Sequence, residues 1–288
     1  MTSPGISLST FGLDDQAQAI ALLGEGFPHV RLDVWRAGFQ RLRETPPPGS
    51  SDAIGCFLNQ AGSVKGLSLA ISRSPASERE TASTTNLSSW YIAPPMRHRA
   101  LWMLQNMTTD PGRIYTDLSP TTTVARLIQL VGFRLISSQT LLIPTPALAS
   151  LRSPLPSVVP TSQTLDATDD GSLRSTLQDH LDLGCKVIGL EDGSRVQPLV
   201  FAIKRRAKLI RTVQLIYTGS VPALLKNMCA ISNYFLRRGV MLIEAQVPDD
   251  AVFDFGCVPY FKRRYAKGSY PKGVVDQLYS ESVYFRFD

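Results

Sequence analysis

The stretch from Asn86 to Phe133 constrains this chain more than any other. It runs Asn86-Leu87-Ser88-Ser89-Trp90-Tyr91-Ile92-Ala93, meets Pro94-Pro95, and continues through Arg97-His98-Arg99-Ala100 into Leu101-Trp102-Met103-Leu104. Apolar spacing then predicts a short strand over 113–120 and a helix from Thr121 to Leu130, with a further strand after Gly132-Phe133. Proline cannot donate to a ladder and restricts the residue before it, so Pro94 and Pro95 end the first strand. The resulting order is strand, basic turn, helix, strand, helix, Gly-Phe, strand.

That order favours an anion. A strand that turns into a helix aims the first unpaired helical N–H groups beyond the strand end, and the helix dipole adds partial positive charge there. Arg97, His98 and Arg99 place further positive groups on the same turn, where a phosphate or pyrophosphate fits. The run also reads as a solvated basic turn at a helix start.

Upstream, residues 5–11 read as a strand. Asp14 and Asp15 start a helix whose apolar face is Ala17 to Leu23, and a second helix covers Arg31 to Glu44 with Trp35 in its core face. Pro46-Pro47-Pro48-Gly49-Ser50 is a stop, and Ile54–Leu58 with Val64–Ser72 reads as a hairpin turned at 61–63. Ser72 to Thr85 reads as a loop. From Pro144 to Pro160 a Pro/Ser/Thr-rich stretch without clean period reads as a connector. Beyond it, Asp169-Asp170-Gly171-Ser172 starts a helix running through Leu183. Strands follow over 185–190, 197–203 and 210–218, then one helix from Val221 to Arg238, a strand over 240–247 and a closing strand over Ser282–Phe287.

The core stretch resembles the acetyl-CoA-binding core of the GNAT superfamily of N-acyltransferases. The likeness rests on Ile92-Ala93-Pro94, on Arg97 to Trp102, and on Gly132-Phe133; Asn-Leu-Ser-Ser-Trp-Tyr with Thr-Asp-Leu-Ser-Pro and Gly-Phe-Arg is similar to a bacterial subgroup of uncertain substrate. It covers residues 1–145 as an arrangement and is specific from Asn86 to Arg134. The weaker repeat of strand, turn, helix, strand after Ile210 resembles a second lobe, as in the Fem-type aminoacyltransferases and the myristoyltransferases. The resemblance implies an α/β (α+β) fold of two tandem GNAT-like lobes, each a mixed, mostly antiparallel sheet flanked by helices. Lobe one is 1–145, the connector 146–160, and a degenerate lobe two 161–288, with the ligand held only by the first.

The resemblance also implies the chemistry. Acetyl-CoA or another acyl-CoA lies along Trp90, Tyr91 and Ile92, with its phosphates on Arg97, His98, Arg99, Ala100, Leu101 and Trp102. A backbone N–H near Trp90 to Ile92 receives the oxyanion formed when a small amine or amino-sugar acceptor attacks the thioester. The sequence departs from the family at several places. Ala100 and Trp102 replace the loop glycines, Ile128 stands where a tyrosine acid is usual, Thr121 where an asparagine is usual, and Ser88 where a glutamate base is usual. Candidates for the proton transfers are Asp117, Ser88 and Tyr115. Asp117 either faces the acceptor amine or caps the helix near Thr121, the cap being the preferred reading. Tyr217 and Glu244 are candidates for an inter-lobe cleft. The two function classes are an acyl-CoA-dependent N-acyltransferase, acetyltransferase first, and a catalytically silent acyl-CoA-binding or interaction module; a transferase with another carrier is a third.

Composition bounds the rest. A net charge of +6 over 288 residues suits an anionic ligand better than nucleic acid. Lys204-Arg205-Arg206 with Lys208 reads as a solvated face, and Lys262-Arg263-Arg264 among aromatics as an anion candidate. Cys56, Cys185, Cys229 and Cys257 are scattered and read as reduced core residues, and His29, His98 and His180 show no ligand spacing, so no metal is expected. No secretory signal and no apolar run of membrane length are read, which places the protein in the cytoplasm without a membrane partner.

Overall fold

A computed structural model describes residues 5–76, 80–149, 158–192, 195–206, 209–251, 258–271 and 274–287. Strand β1 (Ile6–Phe11) leads into helices α1 (Gln16–Gly26) and α2 (Leu32–Glu44). Trp35, Phe39 and Leu42 recur at helical spacing and lie buried on one face of α2. β2 (Gly55–Gln60) and β3 (Ser63–Arg73) form the hairpin, turned at Ala61-Gly62 with both residues at positive φ. β4 (Thr84–Ile92) stops at Pro94, which opens a 3-10 turn over Pro94–Arg99 before α3 (Ala100–Met107). β5 (Ile114–Asp117), α4 (Thr122–Leu130) and β6 (Arg134–Pro144) follow.

The second half begins with α5 (Thr145–Ala149), β7 (Val158–Val159), α6 (Thr161–Asp166) and α7 (Gly171–Asp182), whose N-cap Asp170 accepts the Leu173 N–H. β8 (Lys186–Asp192), β9 (Arg195–Arg206) and β10 (Ile210–Thr218) form a meander, followed by α8 (Val221–Lys226), α9 (Met228–Leu236) and β11 (Leu242–Val247). β12 (Val258–Lys267), β13 (Val275–Asp276) and α10 (Glu281–Tyr284) end the described chain. Of the expected connector, 150–157 lie outside the described residues, as do Gly193-Ser194, Lys208 and Cys257. Cys56, Cys185 and Cys229 are free thiols. Among the described residues no helix is long and apolar enough to cross a membrane.

The Gly-Phe after α4 has a local cause. Gly132 takes φ 93°, its N–H bonds Gln129 O, and the Phe133 N–H reaches back to Ile128 O. This double bond pattern closes a helix, and the apolar residue after the glycine packs back onto it. Phe133 and Ile128 share one core cluster. The same stop recurs after α9, where Gly239 has φ 73° and Val240 N–H bonds Phe235 O. Both halves thus end a helix and launch a strand by the same device.

The described strands join in one sheet, ordered β1-β2-β3-β4-β5-β12-β6-β11-β10-β9-β8-β7, with β13 on β10. Among the described residues only β4–β5 and β10–β11 pair in parallel. Each parallel pair is the strand–helix–strand unit of one lobe. At the centre the lobes interlock: β12 of the second half lies between β5 and β6, and β6 lies between β12 and β11. The interior is shared as well. Trp35 and Phe39 of α2 sit in one cluster with Leu177, Val187 and Phe285. Gly38 allows α2 to pass over Phe285, because a Cβ there would fall inside the phenyl ring's contact radius. Gly38→Ala is therefore expected to lower the urea midpoint, with a loss of about 1–3 kcal/mol from overpacking; an unchanged midpoint would show that this crossing is slack.

Three sequence expectations need correction. The expected single helix 221–238 breaks at Asn227, whose Nδ2 donates to Ala223 O and competes with the helical ladder. The expected closing strand Ser282–Phe287 opens instead as the helical turn α10. Its residues Ser282 to Phe285 are buried on every side, so apolar alternation there reported no sheet face. The strand β12 was read only as a basic cluster. Its Arg264, one of the charges read as an anion candidate, is buried within the sheet and donates to Thr140 Oγ1.

Candidate functional site

β4 and β5 pair only over Thr84–Leu87 and Ile114–Asp117. Past Leu87 no described strand pairs with β4 on its β5 side. On its other side β4 carries a bulge: Ser88 pairs with Leu69 and Tyr91 with Leu67, so Ser89 and Trp90 stand opposite the single residue Ser68. Ser89 adopts φ 49°, a left-handed conformation that costs a non-glycine residue about 1 kcal/mol. Ser89→Gly is expected to leave the bulge in place and raise the urea midpoint, whereas Ser89→Val lowers it. Equal midpoints for both variants would remove strain from the account.

The gap opens into a cavity of about 910 Å³. Its walls are β4 from Leu87 to Trp90, the end of β5, α3 and α4, the α1–α2 connection, and the segment carrying Glu281 and Phe287. Most of the wall is apolar, with Phe27, Trp35, Leu104, Met107 and Ile128 prominent. Asp33 on the α2 side of this wall is paired with Arg31, and opposite stand the carboxylates of Asp117 and Glu281. Asp117 is half-buried, and its Oδ1 accepts the Ser119 N–H at 3.3 Å. Burial, and next the neighbouring Glu281 carboxylate, push the Asp117 carboxyl up to about 7. Glu281 is itself buried and accepts the Ser119 hydroxyl. Its backbone N–H donates to Asn86 Oδ1 at 3.0 Å, and Asn86 Nδ2 donates to Thr116 Oγ1 at 3.2 Å. Asn86 on β4 thus fixes the start of α10 beside the end of β5.

Of the sequence candidates, the structure gathers Asp117, Ser88 and Trp90 around the cavity. Asp117 does not cap α4: Thr121 Oγ1 accepts the Val124 N–H, and the carboxylate turns to Ser119. Ser88 Oγ is buried without a hydrogen-bond partner among the described residues. Trp90 donates its indole N–H to Met103 Sδ. Tyr115 lies in the cluster beneath α3 and α4, and its hydroxyl accepts the Asp110 N–H, so it does not line the cavity. Tyr91 packs against Gly26, and Ile92 is buried with Met96 and Met103. Arg97 and His98 are exposed on the 3-10 turn, Arg97 Nε donating to Ile92 O and His98 Nδ1 meeting Pro95 O; Arg99, Ala100, Leu101 and Trp102 are half-buried beside them. None of residues 97–102 lines the cavity. Sequence reasoning missed Glu281 and Asn86. Nothing local marks Glu281, which reaches the site only through the long return of the chain.

In the second lobe the equivalent gap is filled by the chain itself. β10 and β11 pair over Thr212–Gln214 and Leu242–Glu244, and beyond that β13 pairs with Tyr217 and Thr218. Gln277 then spans the gap, accepting from Gln214 Nε2 at 3.0 Å and donating to Gln246 Oε1 at 2.9 Å. Tyr217 and Glu244, the inter-lobe candidates, do not line the first cavity. Glu244 instead stands 3.9 Å from Lys262. His180 is structural: buried, with Nδ1 on Thr176 O and Nε2 accepting the Tyr279 N–H, it is held down to about 4 chiefly by burial.

The fold and this parted strand pair define a class. The chain has the GNAT fold in two tandem lobes. It is similar to a GCN5-related N-acetyltransferase from Anabaena variabilis ATCC 29413, with a TM-score of 0.57 and 12% sequence identity over 91% of this chain and 72% of that one. A GCN5-related N-acetyltransferase from Kribbella flavida matches with a TM-score of 0.55 at 11% identity, over 91% and 70% of the two chains. A tandem GNAT protein from the clavulanic acid biosynthesis pathway matches with a TM-score of 0.53 at 12% identity, over 93% and 99%. At these identities the likeness is one of fold. No family model and no curated protein matches the sequence.

Proposed function

We propose that this chain transfers an acyl group from an acyl-CoA to an amine. The observation that carries the reading is the parting of β4 and β5 at a strained bulge, opening a cavity that holds the Asp117–Glu281 carboxylate pair. In this reading the thioester arm lies along the open side of β4, where main-chain groups past Leu87 have no described strand partner. A backbone N–H at Ser89 or Trp90 stabilises the developing oxyanion. The amine nitrogen bonds to the thioester carbon, the carbon–sulfur bond breaks, and the leaving sulfur takes a proton. Asp117 removes the proton that the amine sheds, since a base near 7 is poised for transfer at neutral pH. Ser88 lines the same wall as a hydroxyl relay, and Tyr115 has a packing role.

The residues fit the ligand's two ends unequally. The gap suits the arm. The basic turn offers Arg97 and His98, but Met96 N–H bonds Ala93 O and Ala100 N–H bonds Arg97 O, so side-chain charge replaces much of the backbone cradle a glycine loop would supply. The proposal assigns the phosphates to Arg97, His98 and Arg99, flanked by Ala100, Leu101 and Trp102. The filled gap of the second lobe supports a single ligand site, with lobes dividing over 146–160 and β6 and β12 exchanged across the division.

Titration calorimetry with acetyl-CoA and longer acyl-CoAs tests the reading on wild type and Arg97→Ala. Binding that weakens with salt and falls about tenfold in the variant is expected. A second reading, acyl-CoA binding without turnover, is favoured by Ile128, which lines the cavity where the family resemblance expects a tyrosine acid. Release of CoA thiol with a panel of amines separates the two. Absence of any acyl-CoA binding would overturn both.

A further inference from the structure

A second cavity, of about 450 Å³, lies between α2, β9 and residues 285–286. Its wall brings together Arg41 from α2, Lys204 and Arg205 from β9, and Arg286. The carboxylate among its lining residues, Asp33, is held by Arg31 at 2.6 Å. Arg41 and Arg286 are half-buried and donate to neutral carbonyls, Arg41 to Tyr284 O and Arg286 to Leu183 O. Those bonds orient the guanidinium groups without neutralising them. Burial first, and the charge of Arg286 next, lower the pKa of Arg41, with Glu44 opposing. Arg286 also stands at φ 38°, so its placement carries backbone strain.

The bland account is a solvated basic face, which is how Lys204 to Arg206 read in sequence. It does not explain why two half-buried guanidinium groups from elements remote in sequence, Arg286 on a strained backbone, converge on the concave space that Lys204 and Arg205 also line. Like charges brought together at a cost in stability are the arrangement an oxyanion repays, because the planar guanidinium fork matches phosphate and carboxylate oxygens in pairs. We infer that this cleft binds a phosphate-class oxyanion. The site does not depend on the acyl-transfer reading. It shares Asp33 and Val34 with the wall of the first cavity, so the anion is either one end of the amine acceptor or a separate effector.

The probes are inorganic phosphate and pyrophosphate, titrated into the full chain at constant ionic strength with chloride as balance. Saturable binding that raises the melting temperature is expected, and Lys204→Gln with Arg205→Gln is expected to weaken it about tenfold. Neither residue belongs to the proposed catalytic wall. Should the double variant not fold, the exposed Arg205→Glu carries the same comparison. No saturable binding to wild type, or undiminished binding to a folded variant, would overturn the inference. Once an acceptor is known, competition by phosphate together with a raised KM and unchanged kcat in the variant marks the acceptor's own anionic end. A change of rate without competition marks an effector. Failure here leaves acyl-CoA binding, and the reading built on it, untouched.

Discussion

Asp117→Asn is expected to cut acyl transfer by about 10²–10⁴-fold while making the protein more stable at pH 8. Both effects come from one cause. Burial and Glu281 hold the Asp117 carboxyl at about 7, against an ordinary value of 3.8. The folded chain therefore keeps this proton where the unfolded chain has released it. Stability drawn from the group is full below pH 4 and declines as pH rises from about 4 to about 7. One pKa unit corresponds to about 1.4 kcal/mol, and the half-buried setting lessens the total, so a gain of about 1–3 kcal/mol is expected from the isosteric amide at pH 8 and none at pH 4. Asparagine can still accept the Ser119 N–H, so the loop after β5 keeps its shape.

The rate profile separates a base from a packing residue. With Asp117 as base, wild-type turnover rises through about pH 7 and the variant loses that limb. Glu281→Gln removes the like charge and is expected to shift the limb to lower pH without abolishing it. Turnover of Asp117→Asn within about threefold of wild type, or a limb that persists, would end the assignment; the stability gain at pH 8 would then report only the buried charge. The trade between stability and activity is the signature of a site whose electrostatics serve chemistry.

The local half of this architecture was legible in the sequence. Pro94 after β4, the Thr121 and Asp170 starts, and Gly132 and Gly239 as helix stops act over a few residues, and each sits where its conformational preference requires. Asp117 was legible as a carboxylate at a strand end, but its role depends on Glu281, which is distant in sequence and has no motif of its own. The interlocking of β6 and β12 was hidden for a related reason. Strand patterns report which face is apolar, and the inner face here is polar where Thr140, Glu244, Gln246 and Arg264 lie buried together. A buried polar sheet face looks like a solvated one until its partners are known. The fully buried turn Glu281–Tyr284 failed oppositely: with no exposed face, its spacing carried no period to read.

Arg73→Met is expected to be the most destabilising of the single changes considered, at about 3–5 kcal/mol, because it strands two carboxylates in the interior. Arg73 is only 2% exposed. Its Nη1 donates to Glu80 Oε2 at 2.6 Å and its Nη2 to Asp276, so one side chain ties β3 to β13. Glu80 also accepts the Ala76 N–H and Asp276 the Leu278 N–H, which fixes both carboxylates where the arginine left them. Neither can swing into water without breaking the turn it holds. In the variant both carboxylates lose the charge that faces them. Adding Asp276→Asn and Glu80→Gln should recover much of the loss, since neutral partners remove the stranded charge. Urea unfolding at pH 8 measures this, and a loss below about 1 kcal/mol, or no recovery in the triple variant, would show that the triad contributes little. The consequence for the site follows from chain order. β13 fills the gap of the second lobe and leads within a few residues to Glu281, so loosening Arg73 should lower turnover under conditions where the variant is still folded. A variant that is less stable yet fully active would mean that Asn86 and Ser119 hold Glu281 in place without help from Arg73.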